Sequence, residues 1–112
     1  MYEILIVGGG PAGLTAAIYA ARAGKHVAVL ERGSTGGQII SAPLVENYPG
    51  IPSVSGTELA RQMTEQACTF GAEIVYTEAV GLEKTPAGFR VLCTDGVREA
   101  KTVILATGAA HR

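Results

Sequence analysis

The sequence contains little of what metal, disulfide, nucleic-acid or membrane chemistry requires. Its only two cysteines, Cys68 and Cys93, form neither a Cys-x-x-Cys pair nor a metal-like spacing, so we expect two buried small hydrophobes. No run of Lys or Arg occurs, which argues against a nucleic-acid partner. No apolar stretch approaches the ~20 residues that a membrane helix requires. These absences favour a cytoplasmic globular protein that binds neither nucleic acid nor membrane.

Glycine, in contrast, is abundant and clustered. Residues 8–13 read Gly-Gly-Gly-Pro-Ala-Gly, with an apolar run at 4–7 before them and an alanine-rich run at 14–23 after them. That order predicts a strand, a tight turn and a helix. The glycine spacing fits the G-x-G-x-x-G pattern of dinucleotide-binding units, in which free N–H groups and the helix dipole meet a pyrophosphate. The alternative is a tight turn that binds nothing.

Each glycine of this pattern has a separate expected task. Gly8 allows the sharp turn out of the strand, and Gly10 lets the backbone come close to a pyrophosphate because it has no Cβ. Gly13 lets the helix pack tightly on the strands. Pro11 fits the first helical turn, where a missing N–H costs nothing.

A second strand at 26–30 ends at Glu31, eighteen residues beyond Gly13. Dinucleotide-binding units carry an acidic residue ~20 residues after the glycines. A carboxylate there can accept hydrogen bonds from both hydroxyls of an adenosine ribose, and it repels a 2′-phosphate. The site therefore favours FAD or NAD over NADP.

The helical and strand periods vanish from residue 32 to residue 52, where glycine, proline, serine and asparagine are common. A loop of this length inside a compact domain is usually functional or disordered. The segment 36–38 reads Gly-Gly-Gln and offers unobstructed backbone N–H groups. Gln38 and Asn47 are candidates to read a polar ring edge such as that of a flavin, because an amide both donates and accepts hydrogen bonds.

The second half of the chain predicts a helix followed by strands. Thr57 is the expected N-cap of this helix, and Gly71 is its expected stop. The pair Asp95-Gly96 predicts a two-residue hairpin within an antiparallel meander. The expected elements are a helix at 58–70, a parallel strand at 73–76, meander strands at 79–84, 89–94 and 97–101, and a buried parallel strand at 103–106.

Four segments together resemble the N-terminal FAD half of a bacterial-type thioredoxin reductase, a class II pyridine nucleotide-disulfide oxidoreductase. They are Gly-Gly-Gly-Pro-Ala-Gly at 8–13, Glu-Arg-Gly-Ser-Thr-Gly-Gly-Gln at 31–38, Val-Glu-Asn-Tyr-Pro-Gly at 45–50 and Ile-Leu-Ala-Thr-Gly at 104–108. The resemblance covers essentially the whole chain, in order. It implies an α/β fold: a Rossmann-like FAD-binding domain over 1–112, whose parallel sheet has an inserted antiparallel β-meander and lacks its C-terminal strand.

The resemblance also implies a set of FAD contacts. The glycine loop would hold the pyrophosphate, Glu31 the adenosine ribose, the Gly-Gly-Gln loop and Asn47 the flavin, and the main chain around Val80 the adenine. The Ala-Thr-Gly segment would lie beside the diphosphate. The cofactor-binding residues so expected are Gly8, Gly10, Pro11, Ala12, Gly13, Glu31, Arg32, Gly36, Gly37, Gln38, Asn47, Val80, Thr107 and Gly108. No catalytic residue and no metal ligand is assigned.

The resembled enzymes continue into an NADPH-binding domain with a Cys-x-x-Cys pair, and neither a second glycine fingerprint nor that pair occurs here. They pass electrons from NADPH through FAD to a disulfide. We therefore expect an FAD-binding portion that is not catalytically competent alone. Its full-length form would be a homodimer that meets a thioredoxin-like or other redox protein through the absent part.

Two other interpretations stay open. A nicotinamide-binding dehydrogenase domain would share the fingerprint and Glu31, but it would leave Gln38 and Asn47 without a role. A non-enzymatic nucleotide-binding or interaction module would use the free side of the strand at 103–106 as an edge for association.

Overall fold

The computed structural model describes residues 1–33, 35–36, 49–50 and 53–107. Within them lie two helices and six strands. In chain order these are β1 (Tyr2–Val7), α1 (Pro11–Arg22), β2 (Val27–Glu31), α2 (Gly56–Thr69), β3 (Glu73–Tyr76), β4 (Ala79–Thr85), β5 (Gly88–Cys93) and β6 (Gly96–Leu105). The expected α/β class, with a parallel sheet and an antiparallel meander, is confirmed.

The strands form one sheet in the order β3-β2-β1-β6-β5-β4. The pairs β2–β3, β1–β2 and β1–β6 are parallel, whereas the pairs β5–β6 and β4–β5 are antiparallel. The carboxyl ends of the four parallel strands therefore meet at one edge. The chain leaves β1 towards β2 while β6 flanks β1 on the other side, and ligands of open α/β sheets bind at such a switch in strand order.

Strand β6 corrects two expectations. The two strands predicted at 97–101 and 103–106 are a single strand. The polar residues Lys101 and Thr102 suggested a break, but both side chains are exposed. The backbone continues through them because Thr102 pairs with Ile4 of β1. The first half of β6 belongs to the meander and its second half to the parallel sheet, so one strand attaches the meander.

The end of β6 is not buried as expected either. Val103 and Ile104 are half-buried and Leu105 is 67% exposed, because no described strand pairs with residues 101–105 on the side away from β1.

The core lies on both faces of the sheet, which explains why the parallel strands have continuous apolar runs rather than alternating ones. One face packs against α1 and α2, and the other packs against the meander. The buried residues of the helical side are Ile6, Ala17, Ala21, Val27, Val29, Ala67 and Ala72. Those of the meander side are Leu5, Ala28, Leu30, Val91, Cys93 and Ala100.

Helix α2 begins earlier than expected. Its N-cap is Ser55, whose backbone is extended and whose side chain accepts a hydrogen bond from the Glu58 amide. The expectation of Thr57 as N-cap is therefore wrong; the Ser-x-x-Glu spacing of 55–58 was the signal for the earlier start. Gly71 follows the helix with φ +104°, as expected of a helix stop.

The spacing of Leu59, Met63, Ala67 and Phe70 predicts one apolar face of α2. The first three are buried as expected, but Phe70, the C-cap residue, is 43% exposed, so the expected face ends one turn early.

The expectation of two buried cysteines holds only in part: both are free, but Cys68 is exposed and only Cys93 is buried. Residue 68 directly follows the buried position 67, and the helical turn directs it away from the sheet. Among the described residues, no helix has the length and apolar character needed to cross a membrane.

Candidate functional site

The glycine loop between β1 and α1 is packed against the ends of the two neighbouring strands. Gly8 has φ +109°, and a Cβ there would lie 2.2 Å from the Ala106 carbonyl oxygen. Its amide donates to the Leu30 carbonyl at 2.9 Å. A Cβ at Gly13 would lie 1.9 Å from the Gly8 carbonyl oxygen. Glycine at positions 8 and 13 is thus required by the packing of the loop itself.

Helix α1 begins directly after this loop. Gly10 is the N-cap and makes no side-chain cap hydrogen bond, Pro11 follows it, and the first turn contains no acidic residue. The amides of Ala12 and Gly13 lie in that first turn, where no acceptor exists within the helix. Free N–H groups and the positive end of the helix dipole together suit an anion such as a pyrophosphate.

Gly10 itself has φ −76° and ψ −172°, an extended backbone that any residue can adopt. Its expected role therefore depends on space for a ligand and not on an unusual backbone conformation. The first helical hydrogen bond runs from the Leu14 amide to the Gly10 carbonyl at 2.9 Å.

Glu31 ends β2, and two main-chain amides hold its carboxylate. Oε1 accepts from the Gly9 amide at 2.8 Å, and Oε2 accepts from the Gly33 amide at 2.7 Å. A Cβ on Gly9 would lie only 3.1 Å from Oε1. Each carboxylate oxygen has a further lone pair. The side chain is therefore fixed in place and can still accept hydrogen bonds from a ribose.

The start of the long loop is tied to both the glycine loop and α2. Gly36 is buried, and its amide donates to the Gly9 carbonyl at 2.6 Å. The hydroxyl oxygens of Thr35 and Thr64 lie 2.9 Å apart. Thr64 also donates to the Ala60 carbonyl one turn earlier in α2, at 2.8 Å. These contacts hold residues 35 and 36 against the glycine loop and α2.

The remaining expected residues lie around this centre or outside the described part. Arg32 is exposed and pairs with Glu78 at 3.5 Å. Val80 lies at a register shift between Ala79 and Gly81, so its main chain interrupts the β4–β5 ladder. Thr107 is exposed beside the glycine loop, its Cα 3.1 Å from the position of a Cβ on Gly8. The expected residues Gly37, Gln38, Asn47 and Gly108 lie outside the described residues.

The structure thus brings Gly8, Gly13, Glu31, Gly36 and Thr107 to the carboxyl edge of the parallel strands. Arg32 contacts Glu78 in the connection between β3 and β4, and Val80 lies near the start of β4. In the part of the chain that the structure describes, no group of three His, Cys, Asp or Glu side chains could hold a metal ion.

Sequence reasoning missed Thr77. Its amide donates to the Glu31 carbonyl at 3.0 Å, and its hydroxyl donates to Asp95 Oδ1 at 2.6 Å. The second bond joins residues 18 positions apart, and no local pattern marks such a pair. The one available signal was the Asp95-Gly96 hairpin, which located one partner and left the other unknown.

Comparison with known proteins agrees with this geometry. Residues 2–112 match a protein-family model described as pyridine nucleotide-disulphide oxidoreductase. The thioredoxin reductase of Treponema pallidum (strain Nichols) is 45% identical over 112 residues, which cover 99% of this chain and 36% of that protein. The thioredoxin reductase of Aquifex aeolicus (strain VF5) is 44% identical over 115 residues, covering 100% of this chain and 35% of that protein.

Solved structures give the same result for the fold. The Lactococcus lactis thioredoxin reductase (FR conformation) superposes with a TM-score of 0.95 at 39% identity, over 100% of this chain and 37% of that one. The Streptococcus pyogenes MGAS5005 enzyme gives a TM-score of 0.95 at 47% identity, over 100% and 37%. The chain spans about 36% of the length of its first relative. On the family match over 2–112, the chain belongs to the pyridine nucleotide-disulphide oxidoreductase family.

Proposed function

We propose that residues 1–112 form the FAD-binding portion of a thioredoxin-reductase-like flavoprotein, which passes electrons from NADPH through FAD to a disulfide. The observation that carries the proposal is the uncapped N-terminus of α1, beside a carboxylate, Glu31, held at the end of β2. The thioredoxin reductases that match the chain support the reaction. The NADPH site and the redox disulfide would belong to the part of such a protein that this chain does not span.

The pyrophosphate of FAD would lie at the first turn of α1. Gly10, Ala12 and Gly13 would present their amides to it, and no side chain competes for that place because the N-cap is a glycine. Thr107 and Gly108 would lie along the other side of the diphosphate. The close approach of Thr107 to Gly8 supports this arrangement.

The adenosine ribose would bind to the free lone pairs of Glu31. The two amide hydrogen bonds to Glu31 fix its carboxylate before any ligand arrives, so little ordering is needed on binding. Its negative charge would disfavour a 2′-phosphate, which favours FAD or NAD over NADP. Arg32 and the main chain around Val80 would border the adenine.

The flavin ring would lie along the Gly-Gly-Gln loop. Because the Gly36 amide is used by the Gly9 carbonyl, the flavin contacts would come from Gly37, Gln38 and Asn47. When bound, FAD supplies the electron-transfer chemistry, and these residues would bind and orient its ring. We assign no catalytic residue to this chain. A cytoplasmic location, a homodimer and a thioredoxin-like partner are part of the proposal for the whole protein.

A titration of the purified chain with FAD tests the proposal, followed by flavin fluorescence and visible absorption. We expect a saturable change in the flavin bands. Replacing Glu31 with Gln should weaken binding about 10- to 100-fold, because a hydrogen bond to a charged group contributes about 1.5–3 kcal/mol. The control Glu73→Gln changes an exposed carboxylate that contacts Tyr2 and His26 and should leave binding unchanged.

Two results would contradict the proposal. Saturable binding of NAD⁺ by a folded chain with no response to FAD would favour the dehydrogenase domain. Self-association without any nucleotide binding would favour the interaction module. In the described residues, the side of β6 that faces β5 is paired only as far as Ala100, so such an association has an available strand edge.

A further inference from the structure

Thr77 joins the ribose end of the proposed site to the β5–β6 hairpin. With 7% of its surface exposed, it is the one buried polar or charged residue of the described chain. Its amide donates to the Glu31 carbonyl at 3.0 Å, and its hydroxyl donates to Asp95 Oδ1 at 2.6 Å. A buried hydroxyl needs a partner, and here the partner is an aspartate carboxylate from the meander.

Arg98 fixes that carboxylate. Its Nη1 donates to Asp95 Oδ1 at 2.8 Å and its Nη2 donates to Oδ2 at 3.1 Å, a two-point contact that sets both position and angle. These bonds from Arg98, followed by the bond from Thr77, hold the pKa of the Asp95 carboxyl well below its usual range. Asp95 therefore remains a charged acceptor at neutral pH.

A second contact ties the same hairpin to the same segment. The predicted hairpin is present, but its turn lies one residue earlier than expected: Cys93 pairs with Gly96, so Thr94 and Asp95 form the two-residue turn and Gly96 begins β6. The Thr94 amide donates to the Glu78 carbonyl at 2.9 Å. The turn is therefore joined to Thr77 by one side-chain hydrogen bond and to Glu78 by one main-chain hydrogen bond.

Residues 77 and 78 adjoin Glu31, the residue proposed to bind the ribose. Glu31 pairs with Tyr76 at the end of the β2–β3 ladder, and the next bond of that ladder comes from the Thr77 amide. Beyond Glu31 the chain leaves the sheet. The Thr77 amide thus makes the last ladder contact to β2, with the carbonyl of the residue whose side chain accepts from the Gly9 and Gly33 amides.

We propose that Thr77, Asp95 and Arg98 form a latch that positions Glu31 for recognition of the adenosine ribose. This inference rests on the proposed function. The three residues do not contact the ligand; they are positioning residues that act through the backbone of Glu31. The meander therefore has a role in nucleotide binding, which it exerts through the bonds from Asp95 to Thr77 and from Thr77 to Glu31.

The amide signals of Gly9 and Gly33 in a ¹H–¹⁵N NMR spectrum of the 112-residue chain report the Glu31 carboxylate directly. Thr77→Val keeps the shape of the side chain and removes its hydroxyl. Asp95→Asn weakens the contacts of residue 95 with Thr77 and with Arg98. We expect both variants to move the two glycine signals and Thr77→Ser to restore them. Arg90→Gln, which removes ion pairs to Glu83 and Glu99 on the same meander, should leave them unmoved.

A binding ratio separates positioning from a loss of stability. ADP and 2′-deoxy-ADP differ by one ribose hydroxyl, and a well-placed Glu31 should favour ADP about tenfold, as expected for one hydrogen bond to a charged group. Thr77→Val should reduce this preference to less than about twofold, and Thr77→Ser should restore it. A general loss of stability would weaken both ligands of the folded chain equally and leave the ratio unchanged.

The outcomes distinguish this inference from the function on which it rests. A wild-type chain that binds FAD but fails to prefer ADP would contradict the ribose role of Glu31 and overturn this inference, whereas a folded chain with no response to FAD would contradict the proposed function itself. A wild-type preference that persists in Thr77→Val, with the Gly9 and Gly33 signals unmoved, would overturn the latch and leave the proposed function standing.

Discussion

The carboxylate of Glu31 accepts a hydrogen bond from the amide of Gly9, 22 residues earlier in the chain, at 2.8 Å. Its second oxygen accepts a hydrogen bond from the amide of Gly33 at 2.7 Å. The acid proposed to read the ribose therefore also closes the glycine loop against the end of β2. One side chain serves both the fold and the ligand, and its two roles can be separated by experiment.

Replacing Glu31 with Ala should destabilise the chain in the absence of any ligand. Two amides would lose a charged acceptor, so we expect the free energy of unfolding to fall by about 1–3 kcal/mol. Urea unfolding followed by circular dichroism measures this change. The control Glu73→Ala removes exposed contacts and should cost at most about 1 kcal/mol. Equal stability of Glu31→Ala and the wild type would show that the carboxylate does not close the loop.

Gly13→Ala should be strongly destabilising although alanine is the better helix former. Its Cβ would lie 1.9 Å from the Gly8 carbonyl oxygen, so the helix must move away from β1. We expect a loss of about 2–3 kcal/mol, against a gain of about 1 kcal/mol from helix propensity alone.

The control for Gly13→Ala is Gly71→Ala, at a position where a Cβ meets nothing within 4 Å but φ is +104°. It should cost only the backbone strain of about 1–2 kcal/mol. Thermal unfolding of the two variants gives the order. If Gly13→Ala were the more stable of the two, the close packing of helix and loop would be refuted.

The accuracy of the predictions from sequence depends on how far apart in the chain the interacting residues lie. The positions of Gly8, Gly13 and Glu31 could be predicted from the sequence because their spacing is local and each needs a particular residue type, whereas their contacts with a cofactor stay a prediction. The N-cap of α2 was misplaced because Ser55 and Thr57 are both capable caps, and only the backbone decides between them. The latch at Thr77 could not be predicted, since it joins distant segments through a turn and a strand end.

Burial was predictable only where periodicity is strong. The face of α2 was correct at Leu59 and Met63 because its spacing is regular, and it was wrong at Phe70, where the helix ends. Cys68 was misjudged because a residue type that is usually buried was given more weight than its position on the helix. The break predicted within β6 was wrong because polar side chains on an exposed stretch do not interrupt the pairing of the backbone.

Thr64→Val should weaken FAD more than ADP. The Thr64 hydroxyl lies 2.9 Å from that of Thr35, two residues before Gly37, which is proposed to contact the flavin, whereas ADP has no flavin. We expect FAD affinity to fall about 3- to 10-fold, the effect of about one neutral hydrogen bond, with ADP affinity unchanged. Fluorescence titration measures both, with ADP as a competitor. Thr64→Ser should bind like the wild type, and an equal loss for both ligands would contradict the role of this contact.

Acid should remove a contribution from Glu58 at the start of α2. Hydrogen bonds from Arg61 and then Gln62 lower the pKa of Glu58 from 4.5 to about 2. A carboxyl whose pKa is lower in the folded state stabilises the fold above its unfolded pKa and loses that effect as the pH falls from 4.5 towards 2. The urea midpoint should therefore decline over this interval.

Glu58→Gln is the matched variant for this pH dependence, since it keeps the side-chain shape and cannot titrate. Its urea midpoint should decline less steeply than that of the wild type between about pH 4.5 and pH 2, and the two proteins should converge at the acid end. Parallel declines would mean that other carboxyl groups cause the acid sensitivity.

The central claim is that a cofactor pyrophosphate binds at the first turn of α1. It is tested most directly by titrating the ¹⁵N-labelled chain with FAD and following its amide signals. We predict that the signals of Gly10, Ala12 and Gly13 shift most and saturate together, because their N–H groups would meet the phosphates. If those signals stayed in place while FAD shifted others, or if no signal of the folded chain responded, the claim would be contradicted.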